Sequence, residues 1–503
     1  MRVRLQRNIV WSYINWLISM AGPLVMIPIY LRFLGRESYG VWLVILSVTS
    51  YLGLANLGIG QTLANRIAEA AACKRTDEIG PLVSTAFFGY AGIAGVLTLA
   101  LLLFTPIVTN RLAVGTPTAV IAPFFIYVAL ALMSFPFKVF PMVLRGFERV
   151  DQEQAITVAT NVVRIAILAL ALFSGLKLIA VAAINGGAEI LWPMAGYWQS
   201  RRLTREVTPR LANFSRALLA GMVRPSLGFF GIQVAATLMT GVDNLVIGYS
   251  LGAAAVTTYA VPLRLTMMPM GLLSVAVNAI NPSVTVNYAQ GSSQAIARGY
   301  LFSLRISTLY ATVGAIALWV IGPQFLRVWA GAGVFPGRPA YALMVMFFMM
   351  LVMIMPASSI LWATTRHYRW AVLALLEGVM NLALSLWGVR HFGLSGVIGA
   401  TVATSLMMTF WYLPYGALRT LDLSIAKAAR ELAPGFAVSA AALAAVAIAW
   451  RPHLDASLLY ASVWGTVAIV AYAIAFAWIG FSRSQRQSAV DWMVASRRQG
   501  SPA

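Results

Sequence analysis

The sequence predicts an all-α integral membrane protein of about fourteen transmembrane helices, arranged as two six-helix lobes and a C-terminal helix pair. Three observations carry this reading. The 503-residue chain is 60% hydrophobic and 10% charged, with a mean hydropathy of +0.80, whereas a soluble chain has roughly a quarter of its residues charged. Apolar stretches long enough to cross a bilayer recur along the whole chain, separated by short connectors. The two halves also share punctuation at a near-constant offset.

The first element, within "MRVRLQRNIVWSYINWLISMAGPLVMIPIY", begins basic like a signal peptide, but its apolar run of about twenty residues exceeds a signal h-region, so it reads as an uncleaved span. Further spans follow at about 39 to 60, 82 to 106, 118 to 143, 154 to 174 and 177 to 198. A second group covers 219 to 249, 256 to 282, 299 to 321, 341 to 363, 368 to 389 and 394 to 416. The last two lie at 432 to 450 and 459 to 481. The expected domains are an N-lobe at 1–200, a basic linker at 201–218, a C-lobe at 219–418, and two extra spans with a basic tail at 419–503.

The formal charge of +21 does not signal nucleic acid, because Lys and Arg sit in short connectors and no groove-reading motif accompanies them. The single cysteine, Cys73, excludes an intrachain disulfide framework and a cysteine-rich metal site. With the N-terminus inside, about 24 of the 36 Lys and Arg fall on the cytoplasmic side, about 8 outside and about 4 within spans. Both termini are therefore expected in the cytoplasm. "QSRRLTREVTPRLANFSR" reads first as a topology signal and secondly as a segment lying on anionic headgroups.

The repeat is visible at three places. Gly35 in "YLRFLGRESYG" and Gly252 in "IGYSLGAAAVTTY" are 217 residues apart; Pro141 and Pro356 are 215 apart; Gly175 in "FSGLKLIAVAA" and Gly393 in "HFGLSGVIGAT" are 218 apart. An offset that holds six spans gives both copies the same orientation, the parallel kind of repeat, with a binding site expected where the lobes meet. Alternating access by rocking of the lobes follows from that arrangement.

Charges inside the spans mark function, because an ionisable group in hydrocarbon is costly. Arg164 and Glu189 fall near mid-depth of adjacent spans and can pair; Asp243, in "LMTGVDNLVIGYSLG", and Arg264 fall at matching depths on either side of a hairpin. Lys138, Arg305 and Glu377 form a third group nearer the cytoplasm. Each pair can equally be a salt bridge that sets helix register. The cationic excess of Lys138, Arg164, Arg264 and Arg305 over Glu189, Asp243 and Glu377 suits a phosphate-bearing substrate, since guanidinium grips phosphate oxygens in bidentate fashion. The three acids are the candidates for Na+ or H+ coupling, and which ion applies stays open.

"IPIYLRFLGRESYGVWLVILSVTSYLGLANLGIGQTLANRIAEAA", the run around Asp243 and "PMVLRGFERVD" resemble the polysaccharide transporter branch of the multidrug/oligosaccharidyl-lipid/polysaccharide exporter superfamily. The resemblance implies a MATE-like core of two six-helix lobes with an added C-terminal pair. It further implies a flippase of the bacterial inner membrane that moves an undecaprenyl-diphosphate-linked oligosaccharide between leaflets for O-antigen, capsule or exopolysaccharide assembly, beside a polymerase and glycosyltransferases. Cavity cations of that family are thought to meet the diphosphate, and Lys138, Arg164, Arg264 and Arg305 are the positions here that suit the task.

Enzyme readings fare worse. No G-x-x-x-x-G-K-[ST] run is present for ATP, and His367, His391 and His453 lie scattered in connectors without ligand or triad spacing, so no metal or cofactor is expected. "GAGVFPGRP" is a turn. A membrane polysaccharide polymerase is the runner-up of another class, weakened by the want of a long extramembrane segment. Within transporters, a lipid II flippase shares the diphosphate problem, while a cation antiporter of the same superfamily would call for an excess of acids.

Overall fold

A computed structural model describes residues 2–112, 117–289, 293–363, 368–450, 453 and 456–481. The described residues are helical apart from turns and short connectors, and no strand occurs among them. Among the described residues, eleven segments are long and apolar enough to cross a membrane. One of them, Val10–Asn56, is 47 residues long, about twice what a bilayer needs. The expected number of fourteen is not reached by this count.

The chain divides into two units after Thr257. In the first, α1 (Arg2–Ser50) is broken at Gly35, whose φ of 78° and ψ of 171° are non-helical. A 3-10 turn at Tyr51–Asn56 and left-handed Leu57 and Gly58 then lead into α2 (Ile59–Ala72). Next come α3 (Ile79–Leu112), α4 (Pro117–Ser134), a 3-10 turn at Phe135–Lys138 and α5 (Val139–Gly146). The unit continues with α6 (Val150–Phe173), α7 (Leu178–Leu203) and α8 (Arg216–Leu251).

Sequence patterning places α8 in a second lobe, but the helix groups with the first unit because it runs along α1. Asn244 donates to the Ser47 hydroxyl at 2.9 Å and the Thr257 hydroxyl donates to the Arg36 carbonyl at 2.7 Å. Gly40 permits this approach: a Cβ there would lie 1.8 Å from the Ala253 carbonyl oxygen. Small residues at crossings are how helices pack in a bilayer, where apolar burial supplies no driving force between them.

The linker after α7 is structured. Val207 is fully buried, the Arg210 and Ser215 amides donate to Ser84 and Thr85 on α3, and the Thr204 side chain caps the turn at Glu206.

The second unit begins within α9 (Ala253–Ala289) and continues with α10 (Ser293–Val320), α11 (Gly322–Trp329) and α12 (Arg338–Ala363). It then contains α13 (Tyr368–Phe392), α14 (Leu394–Met407) and α15 (Thr409–Thr420). The extra pair, α16 (Ile425–Ala449) and α17 (Leu458–Ile479), packs on α10 around Trp450, Tyr472 and Phe476.

The repeat reappears as backbone geometry. Gly252 has φ 87° and ψ 167°, within 10° of Gly35 in both angles. Gly175 and Gly393, at the α6–α7 and α13–α14 hairpins, are also left-handed, with φ of 82° and 58°.

Candidate functional site

Within the first unit, α6 and α7 run antiparallel and present two polar stripes at helical spacing. Thr157, Asn161 and Arg164 line one face of α6; Asn185, Glu189 and Trp192 line one face of α7. The exposed residues of α6, among them Val162, Val163, Ile167 and Leu170, and those of α7, Leu191 and Trp198, lie on the opposite sides. Those apolar sides suit lipid, so the polar stripes look into the unit.

The stripes meet in register. The Trp192 indole N–H donates to the Thr157 hydroxyl at 2.9 Å, and that hydroxyl donates to the Glu153 carbonyl at 2.9 Å. Farther along, Arg164 donates from one terminal nitrogen to Asn185 Oδ1 and from the other to Asn161 Oδ1, both at 3.0 Å. Tyr30 of α1 shares a hydrogen bond with Asn185. Arg164 Nε is buried without an acceptor, and among the described residues no carboxylate pairs with this guanidinium. A half-buried guanidinium held by neutral amides has no opposite charge to offset its own and is suited to hold an anion.

Arg164 and Glu189, matched by depth in the sequence, do not pair. The Glu189 carboxylate goes instead to Lys138 Nζ at 3.2 Å, at the end of the 3-10 turn between α4 and α5. The reason is register: Asn185, one turn before Glu189 on α7, occupies the position opposite Arg164.

In the second unit Glu377 of α13 is fully buried. Ser405 donates to its Oε1, Thr409 also bonds it, and Oε2 has no donor. One turn on, Asn381 accepts from Ser385 and Thr401 at 3.3 Å each, and its side-chain nitrogen is buried without an acceptor. These oxygens are hard ligands of the kind that alkali cations take. Among the described residues no three His, Cys, Asp or Glu side chains converge as a metal site.

Of Lys138, Arg305 and Glu377, the first lies in the first unit and the other two in the second. Arg305, 7% exposed, donates to the Glu431 carbonyl at 3.1 Å and meets its carboxylate at 3.3 Å, tying α10 to α16. Asp243 is buried in the first unit near Tyr51, whereas Arg264 is an exposed residue of α9 in the second. Sequence reasoning from charge alone passed over Asn161, Asn185, Asn381 and Glu431. The spacing of each asparagine at one turn from a charge on its own helix was the available signal.

Among the described residues, helices of membrane-crossing length, glycine turns paired at a near-constant offset and charge within the helices define a polytopic membrane protein. Residues 5–286 match the family model described as "Polysaccharide biosynthesis protein", and the chain belongs to that family. Its fold is like that of solved structures described as members of the MOP superfamily. It is similar to a structure of the lipid II flippase MurJ in an inward closed conformation, with TM-score 0.71, 13% identity and coverage of 93% of this chain and 98% of that one. It is also similar to a multidrug resistance MATE family transporter in its inward-facing form, with TM-score 0.64, 16% identity and coverage of 82% and 99%. The outward-facing form gives TM-score 0.58, 16% identity and coverage of 83% and 95%. No curated protein sequence matches the chain.

Proposed function

We propose that this protein is a flippase that carries an undecaprenyl-diphosphate-linked oligosaccharide across the bacterial inner membrane by alternating access, with both termini in the cytoplasm. The observation that carries the reading is Arg164, a cation within the first unit held by Asn161 and Asn185 and paired with no described carboxylate. Membership of the polysaccharide biosynthesis family supports a substrate of that kind. A diphosphate bearing sugars cannot cross hydrocarbon unaided, because its charges and hydroxyls would lose water without replacement. Arg164 offers the diphosphate a paired guanidinium contact while the polyprenyl tail stays in lipid. Lys138, Arg264 and Arg305 complete the cationic set of the sequence reading. Of these, Lys138 and Arg305 are engaged by Glu189 and Glu431, so Arg164 is the favoured anchor.

Glu377 is the favoured site of ion coupling among Glu189, Asp243 and Glu377. Its Oε2 lacks a donor and Asn381, Thr401 and Ser405 supply further oxygens within the same unit. Bound Na+ or a proton at that carboxylate would offset the cost of a buried charge. Glycosyltransferases that build the unit and a polymerase that consumes it are the expected partners.

The test is reconstitution in liposomes with fluorescent undecaprenyl diphosphate oligosaccharide, scoring transfer between leaflets under a Na+ gradient, a proton gradient or neither. Transfer by the wild type and its loss in Arg164→Ala, with normal insertion, supports the proposal. Wild-type rates in Arg164→Ala would remove the anchor, and no transfer by the wild type under any gradient would remove the flippase.

A further inference from the structure

Trp192 stands on the polar stripe of α7, seven residues beyond Asn185, about 10 Å along the helix. It is half-buried and lies opposite the exposed apolar side that carries Leu191 and Trp198. Among the described tryptophans, Trp198 and Trp478 face outward and Trp450 packs into an aromatic cluster. Among the described residues no aromatic ring lies against Trp192. Its indole N–H is held by the Thr157 hydroxyl, which is itself anchored to the Glu153 carbonyl. The ring plane is thereby set while its faces carry no ring partner.

The surroundings of the ring are polar. Glu189 and Lys138 lie one turn away on the side toward Arg164. Pro193 supplies no N–H to the Glu189 carbonyl, which leaves an acceptor on the same stretch of α7. A flat aromatic face beside carboxylate, ammonium and carbonyl groups is the chemistry that recognises a pyranose ring. The sugar's C–H bonds meet the negative face of the indole, and its hydroxyls meet the polar groups at the rim.

We propose that Trp192 is the platform on which the proximal sugar of the lipid-linked head stacks, with the diphosphate at Arg164 about 10 Å away along α7. The proposal rests on the flippase reading and adds to it a residue that selects glycosylated over bare carrier lipid. Thr157 is the positioning residue, acting through the indole it holds.

The experiment compares two probes in proteoliposomes: undecaprenyl diphosphate, and undecaprenyl diphosphate bearing a trisaccharide that begins with an N-acetylhexosamine. Trp192→Leu should slow transfer of the glycosylated probe about tenfold, the worth of one aromatic contact of about 1.4 kcal/mol, and leave the bare probe unchanged. Trp192→Phe keeps a ring and should retain most of the selectivity; Thr157→Val should lose part of it without loss of folded protein. Equal slowing of both probes in Trp192→Leu, or none, overturns the platform. The anchor is read separately: Arg164→Ala should slow both probes alike, and its failure to do so while Trp192→Leu remains selective would sink the diphosphate site and spare the sugar site.

Discussion

Asn185 accepts a hydrogen bond from Arg164 at 3.0 Å, on the turn of α7 that precedes Glu189. A neutral amide at this place leaves the guanidinium charged toward substrate, and an acid there would not. Asn185→Asp should therefore form an internal ion pair and lower transfer of a diphosphate-headed lipid about tenfold or more, with thermal stability unchanged or raised. Transport assays paired with a melting curve check both halves of this expectation.

Lys138 and Glu189 sit 3.2 Å apart with side chains 24% and 37% exposed. Neither is fully buried, so a double-mutant cycle with Lys138→Met and Glu189→Gln should return a coupling of about 1 kcal/mol. Zero coupling, measured by reversible unfolding in detergent, would show the pair to be incidental.

Arg305 is a tie between α10 and α16, which makes its loss structural. Glu431→Ala leaves a buried guanidinium without its carboxylate and should cost about 2 kcal/mol, less than a fully buried pair because Glu431 is 37% exposed. The double change Arg305→Met with Glu431→Met should recover the stability and keep transport. Stable protein without transport in that double variant would return Arg305 to the substrate.

Gly40 lies where a Cβ would come 1.8 Å from the Ala253 carbonyl oxygen. Gly40→Ala must push α1 and the start of α9 apart, and a backbone atom cannot yield as a side chain does. A loss of about 2 kcal/mol or more, or of folded protein altogether, is expected on thermal unfolding.

Glu377 has no described cation against it, so Glu377→Gln should preserve insertion and lipid binding while abolishing the response of transfer to the driving gradient. Retention of that response would move coupling to another acid.

Much of the architecture was legible in the chain. Hydropathy marked the helices, and three paired positions marked the duplication. Two of those pairs, Gly35 with Gly252 and Gly175 with Gly393, prove to share left-handed backbone at equivalent turns. A requirement for positive φ is a local property that a glycine declares by itself. Ionisable residues within the helices were legible too, since their cost in hydrocarbon singles them out, but their burial was not: Asp243, Arg305 and Glu377 are buried, whereas Arg264 is exposed.

Partnership was not legible. Depth estimates along two helices carry an error of several residues, whereas choosing Asn185 over Glu189 for Arg164 turns on one helical turn, about 5.4 Å. The same holds for Arg305, whose partner Glu431 lies 126 residues away on a helix outside the duplicated core.

The sequence alone therefore determined the membrane class of the protein and its paired glycine turns, because apolar length and glycine backbone are properties of single segments. The tertiary structure decided that Arg164 goes to Asn161 and Asn185, Glu189 to Lys138 and Glu431 to Arg305, and that α8 groups with the first unit. Those outcomes depend on the rotation and register of packed helices, which close-packed contacts such as Gly40 on Ala253 set and no single segment encodes.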